Sequence, residues 1–448
     1  MLYYSHRSMA PSGAIVLVIA LISYVSATAS IAATSFVTDN GLAVVVKSDH
    51  RIPLVGHVLC YRAGGADDPW GALGTAHFLE HLMFKSTDRL STDEFTRTLG
   101  ALGARSNAQT NYDSTVYYHS IPKQHLRVVM SLEAERMAHL RFVNEEIAAE
   151  RDVVLREREA TIDASPMRVL GEQMLANLYV NHPYRRSLLG WPGDIRSLTR
   201  GDVAQFYKGH YAPNNAVLVV AGDTTEGEVR ELVQATYGQL ARRPHARPVR
   251  LLEPTPVASR RVQLERPGSA NLLRYYPTAS YASAVQRDGA ALDLLAQILG
   301  GDDTSQLHQA LVGSGLASTA TATYVGDDRD GGRFAIHAVA LRSDRLERIE
   351  KEIDRLVSHI ARDGPSEAEL SRAKSALEAQ RLFGDDELMV VARRYCEGLA
   401  VGRTLAELED EGTLQDVTSA DIRAVARRFL VEHTSVTGVV KTRVNEHE

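Results

Sequence analysis

The sequence predicts an α+β protein whose two halves repeat one order of strands and helices. Three observations carry this. Short alternating apolar runs are interleaved with long helical periodicities, a Pro- and Arg-rich stretch lies just past the middle, and the same element order restarts after it. Of 448 residues, 44% are hydrophobic and 24% charged, and Gly and Pro usage is ordinary. That excludes a disordered, collagen-like or low-complexity chain. Fifty Lys and Arg against 56 Asp and Glu give a net charge of −6, so no strongly basic nucleic-acid surface is expected.

Residues 1–32 read as a leader. Arg7 gives a weakly positive start, Gly13–Val25 is an apolar run, and small residues follow with two Ala-x-Ala-like cleavage positions at Ala27–Ala29 and Ser30–Ala32. Thirteen apolar residues are short for a bilayer span, which needs ~20; an uncleaved anchor is the alternative. The segment is neither Arg-rich nor amphipathic, unlike a mitochondrial transit peptide. The reading is an exported, soluble protein of the bacterial periplasm, with a mature charge of −7.

Along the mature chain, Phe36–Thr38 and Leu42–Val46 form a hairpin across Asp39-Asn40-Gly41. Val55–Arg62 is a further strand. Helical periodicity runs from Gly74 to Phe84 and from Ser91 to Leu99, and strands return at Ala104–Ala108 and Ser114–Ile121. Three long helices follow at Gln124–Leu140, Asn144–Ile162 and Pro166–Val180. The apolar run Ala216–Ala221 suits a buried central strand, and Thr225–Tyr237 is a closing helix. Four prolines and several Arg between Ala241 and Ser259 mark a linker. The order then restarts with strands at Arg261–Glu265 and Ala270–Tyr276 and a helix at Ala290–Leu299. Strands at Ala317–Tyr324 and Gly332–Ala340, helices at Ser343–Arg362 and Ser366–Leu382, and a last strand at Val436–Val440 complete it. The domains expected are 33–242, a linker at 243–259, and 260–448. Cys60 and Cys396 are too few for a disulfide framework. They read as two buried free thiols, with a single long-range bridge as the alternative.

The chemistry concentrates in Gly74-Thr75-Ala76-His77-Phe78-Leu79-Glu80-His81-Leu82. Residues four apart share a helix face, so His77 and His81 can present two imidazoles to one metal ion, and Glu80 can reach water bound there. Two nitrogen ligands leave room for a third protein ligand and a water, the open plan of catalytic zinc. Such an ion lowers the pKa of its water and a neighbouring carboxylate takes the proton. A helix that carries two histidines by accident is the bland alternative. In Asn144–Ile162, Glu150 and Glu157 lie two turns apart on one face; taken singly, each reads equally as part of a solvated acidic surface.

His-x-x-Glu-His followed after about 75 residues by Glu-Arg-x-Val-Val-x-x-Glu resembles the pitrilysin/insulinase family of zinc metallopeptidases, with the inverted-zincin arrangement. Ser106–Thr110 with Thr115–Tyr118, His182-Pro183-Tyr184, Tyr211–Asn215 and Val219–Asp223 also resemble family segments. The resemblance implies two homologous α/β-roll halves, each a mixed, mainly antiparallel sheet flanked by helices, closing as a clamshell over a peptide. It implies one zinc ion per chain held by His77, His81 and Glu157. Glu80 is implied as general base and Glu150 as a supporting carboxylate of the catalytic group. The strand carrying Asn107, Ala108 and Thr110 is implied to bind substrate by backbone pairing. His182 and His210 read as structural. The second half has no metal motif, and Leu292–Leu299 takes the place of the zinc helix.

One departure stands out. Where many relatives carry an Arg and, further on, a Tyr that hold substrate and stabilise the oxyanion, this chain has Val312 and Ser318, and Gln306 replaces a further Arg. The expectation is therefore a zinc endopeptidase completed by a homologous, metal-free partner subunit that supplies the Arg/Tyr pair, as a heterodimer or otherwise a homodimer. A scaffold that keeps the fold without turnover is the competing class. A serine or cysteine hydrolase finds no motif.

Overall fold

The structure is a computed structural model and describes residues 32–244, 251–284, 287–410 and 412–442. Apart from Ala32, the leader lies outside the described residues, as does 245–250 of the linker. Residues 251–259 have no regular secondary structure.

Among the described residues, eleven strands form two sheets. The first contains β1 (Thr34–Val37), β2 (Ala43–Ser48), β3 (Leu54–Tyr61), β4 (Arg105–Thr110), β5 (Thr115–Pro122) and β6 (Ala216–Gly222), in the order β1-β2-β6-β3-β5-β4. The second contains β7 (Arg260–Arg266), β8 (Ala270–Thr278), β9 (Ala317–Val325), β10 (Gly332–Ala340) and β11 (Val436–Thr442), in the order β7-β11-β8-β10-β9. Without β1, the two orders superimpose strand for strand. In each, one parallel pair joins the start of the half to its last strand (β2 with β6, β7 with β11), and the remaining pairs are antiparallel. The repeat anticipated from element order is thus a repeat of topology, and the chain has the mixed sheets flanked by helices expected of it.

Both faces of each sheet are covered, which is why β6 reads as unbroken Ala-Val-Leu-Val-Val-Ala. Leu218 and Val220 join the core under the first half's own helices, while Val217, Val219 and Ala221 turn to the opposite face. That opposite face is covered by a helix from the second half, Leu388–Val401, through Val391, Ala392, Tyr395 and Cys396. The exchange is reciprocal. The first half's Pro166–Leu178 helix lays Leu170, Met174 and Leu178 against Leu273, Val436 and Val440 of the second sheet. Each half therefore completes the other's core.

Two sequence expectations are corrected here. Cys60 and Cys396 are not free thiols but form a disulfide, because the exchanged helix brings residue 396 onto β3 with the two Cα atoms 5.9 Å apart. The Asn144–Ile162 helix is α-helical only to Arg158 and then widens into a π turn, Glu159–Asp163.

Candidate metal centre

The helix Thr75–Leu82 follows β3 and is only eight residues long, so its position depends on what holds its ends. Its N-terminus has no side-chain cap from its own N-cap residue, Gly74. Asp68 serves instead, accepting from the Gly74 amide at 2.7 Å and from the Ala76 amide at 2.8 Å. Gly74 has φ +87°, and a Cβ there would stand 2.5 Å from the Leu189 carbonyl oxygen; Gly190, at φ +83°, is pressed as closely on Leu73. Side chains at these two positions would force the loops apart.

From this helix His77 and His81 project together, ring centroids 4.7 Å apart. Glu157 meets them from the Asn144–Arg158 helix, its Oε2 lying 3.1 Å from His81 Nε2 and 3.7 Å from His77 Nε2. The three candidate ligand atoms all lie within 4.8 Å of one another. The end of the Glu157 helix is pinned by its neighbour Arg158, which is buried and donates to Glu172 at 2.9 and 2.8 Å and to the Gly190 carbonyl at 2.9 Å. Glu150, one pair of turns earlier, approaches the other side of His81, Oε1 to Nδ1 2.8 Å, and its second oxygen takes Lys85 Nζ at 2.7 Å.

The electrostatics fit a cation. Burial holds His77 down to about 4, so its ring is neutral and its lone pair is available. Burial would also lower His81, but hydrogen bonds to Glu150 and Glu157 outweigh it and raise the ring to about 9. The pull that two carboxylates exert on a proton at His81 is equally a pull on a metal ion. Glu157 is lowered, first by its bond to His81. Two imidazole nitrogens and one carboxylate oxygen, with no thiolate, form a donor set that suits zinc and leaves a fourth corner open. His77 Nδ1 is buried with no hydrogen-bond partner among the described residues, so packing rather than a second carboxylate orients that ring.

Glu80 lies on the same helix, beside the cluster and outside it. Burial raises its pKa, opposed by a hydrogen bond from Thr110 Oγ1 at 2.5 Å. Thr110 belongs to β4, the outermost strand of the first sheet, whose far edge carries no strand among the described residues. Ser106, Ala108 and Thr110 face the helix side, where Ala108 packs on the core. Asn107 is exposed and accepts from the Ala108 amide at 2.9 Å. On the opposite face Gln109 accepts from Arg393 of the exchanged helix at 2.7 Å.

The structure therefore brings together His77, Glu80, His81, Glu150, Glu157 and Thr110. Val312 stays apart in a π turn (His308–Val312), packed against the second core, and Ser318 is exposed on β9, its hydroxyl 3.4 Å from the Val339 carbonyl. His182 and Asp330 pair at 3.2 Å across the two halves. Sequence reasoning missed Asp68, Arg158 and Arg393. None belongs to the metal motif, and no local sequence signal marks them.

Residues 43–191 match the family profile described as insulinase, peptidase family M16, and residues 197–377 match the profile described as peptidase M16 inactive domain. The chain is 28% identical over 406 residues to zinc protease PqqE of Helicobacter pylori, covering 90% of this chain and 91% of that one. To mitochondrial-processing peptidase subunit beta of Lentinula edodes it is 26% identical over 414 residues, covering 87% and 86%. The crystal structure of a protease from Helicobacter pylori superimposes with a TM-score of 0.86 at 28% identity, over 91% of this chain and 99% of that one. Between them the two M16 profiles match most of the chain, and the chain belongs to the insulinase family, peptidase family M16.

Proposed function

We propose that this protein is a zinc-dependent endopeptidase that hydrolyses peptides or unfolded segments. The observation that carries the reading is the convergence of His77, His81 and Glu157 beside a half-buried Glu80 that is tied to an edge strand. His77, His81 and Glu157 would hold one zinc ion, and Glu150 would orient His81 from behind. When bound, zinc makes water nucleophilic near neutral pH and polarises the scissile carbonyl. Glu80 takes the proton of the attacking water and delivers it to the leaving amine; its raised pKa suits a group that must do both. Thr110 aims that carboxylate. β4, with Asn107, Ala108 and Thr110, aligns the substrate backbone as an added strand.

The catalytic domain is 33–242 and the metal-free domain 260–448. The chain works in the periplasm after loss of the leader 1–32; among the described residues no helix is long and apolar enough to cross a membrane. A homologous subunit supplies the Arg/Tyr pair. Support comes from Val312, which has no donor and packs inward, and from Ser318, whose hydroxyl is near a backbone carbonyl. A relative is itself named as a subunit, the beta subunit of mitochondrial-processing peptidase.

Glu80→Gln tests the central claim. Zinc content should be unchanged while cleavage of a quenched fluorescent peptide disappears; a scaffold would show no cleavage to lose. Full activity from a monodisperse monomer would reject the need for a partner.

A further inference from the structure

Behind the candidate site lies a group of buried polar side chains that the chemistry above does not use. His119, Glu133 and Arg136 are each fully buried. His119 Nε2 is 2.5 Å from Glu133 Oε1, and Glu133 accepts from Arg136 Nε at 2.7 Å and from its Nη2 at 2.5 Å. The guanidinium lies over three rings, Tyr117 at 4.3 Å, Phe95 at 4.4 Å and Phe84 at 5.1 Å. Burying an ion pair this deeply is a weak way to add stability, since an apolar replacement of similar shape often does as well. What a satisfied buried network does supply is a unique geometry.

The two ends of this network show which geometry. At one end His119 Nδ1 bonds Ser106 Oγ at 2.7 Å, and Ser106 is the β4 residue directly opposite His119 in the ladder. At the other end Arg136 Nη1 donates to the Met83 carbonyl at 3.4 Å, at the C-terminal end of the helix that carries His77, Glu80 and His81. β4 is an edge strand, held among the described residues by a ladder on one side alone, so its side-chain anchors matter more than those of an inner strand. On the helix-facing side it has two, four residues apart: Thr110 to Glu80, and Ser106 to the buried network.

We propose that His119, Glu133 and Arg136 are positioning residues that lock edge strand β4 to the C-terminal end of the His77–His81 helix, through Ser106 on one side and Met83 on the other. The inference rests on the reading of β4 as the substrate platform. Its role is to fix where a paired substrate lies relative to Glu80, without touching substrate or metal.

Ser106 allows a test that spares the core, because the side chain is on an exposed strand. In Ser106→Ala the amides by which β4 pairs with β5 should exchange with solvent about fivefold faster, the scale of one lost hydrogen bond, while the amides of β3 and β6 are unchanged. KM for a peptide should rise about fivefold with kcat within twofold. Ser106→Thr keeps the hydroxyl and should restore both. Unchanged β4 exchange in Ser106→Ala, or failure of Ser106→Thr to restore it, overturns the proposal. If wild type shows no turnover at all, the peptidase reading fails, and the exchange comparison still decides whether the network anchors β4.

Discussion

Cys60 on β3 and Cys396 on the Leu388–Val401 helix are bonded to each other across 336 residues of chain. The bond joins a strand of the first sheet to the helix that the second half contributes to that sheet's outer face. Three residues before Cys396, Arg393 lies over the Tyr118 ring at 4.8 Å and donates to Gln109 of β4. One helix thus carries both the covalent tie between the halves and a contact to the open edge beside Glu80.

A tie of this span acts mainly on the unfolded chain, by closing a very long loop. The Cys60→Ala, Cys396→Ala double variant should lose about 2–5 kcal/mol of stability in denaturant melts. Wild type treated with reductant should fall to the same midpoint, and the double variant should not respond to reductant at all. Denatured wild type that takes up two equivalents of a thiol reagent without prior reduction would show that the bridge is absent.

Periodicity and turn chemistry made most of the first half legible. Asn40-Gly41 set the β1–β2 hairpin, and Ala216–Ala221 gave the central strand almost to the residue. The pairing of His77 with His81 was legible because helix geometry makes i and i+4 neighbours, whatever surrounds them, whereas Glu157 joined them only through the family resemblance. The disulfide was not legible, because nothing near Cys396 says that its helix crosses to the other half. The Leu388–Val401 helix was itself missed; its buried residues meet a surface built 170 or more positions earlier in the sequence, at β6 and β3. Asp68 was hidden for a related reason. It caps a helix from outside the N-cap position, where local capping rules do not look.

Asp68 therefore gives a second prediction. Its two oxygens satisfy two amides at the start of the Thr75–Leu82 helix, and Arg186 reaches the carbonyl of the same residue at 2.6 Å. Asp68→Ala leaves both amides buried without an acceptor. Loss of a cap of this kind is worth about 1–2 kcal/mol, and His77 lies within the first turn it orders. The variant should melt lower and bind zinc more weakly in a chelator competition, with Asp68→Asn between it and wild type. Weakened melting with wild-type zinc affinity would mean that the helix holds its histidines without the cap.

The third prediction concerns acid stability and rests on His57, buried on the core side of β3. Its Nε2 is 3.0 Å from the Tyr237 hydroxyl, and its Nδ1 is buried with no partner among the described residues. A protonated ring would carry a hydrogen on both nitrogens, in a site that offers a partner to one of them. Burial accordingly holds the ring down to about 3, with His119 and Arg136 adding to the effect and Glu133 opposing it. In the unfolded chain the ring returns to about 6.5. Below that pH the unfolded state binds a proton that the folded state refuses, so the stability His57 contributes is complete above about pH 6.5 and is lost as pH falls toward 3. Between pH 7.5 and pH 5.0 this one residue should remove about 2 kcal/mol. His57→Gln keeps a polar partner for Tyr237 but cannot titrate. Urea melts of both proteins at the two pH values isolate the contribution of His57, because acid effects at the candidate metal ligands are common to both. Wild type should lose about 2 kcal/mol more than His57→Gln over that interval; equal losses would mean that the ring accepts its proton inside the fold.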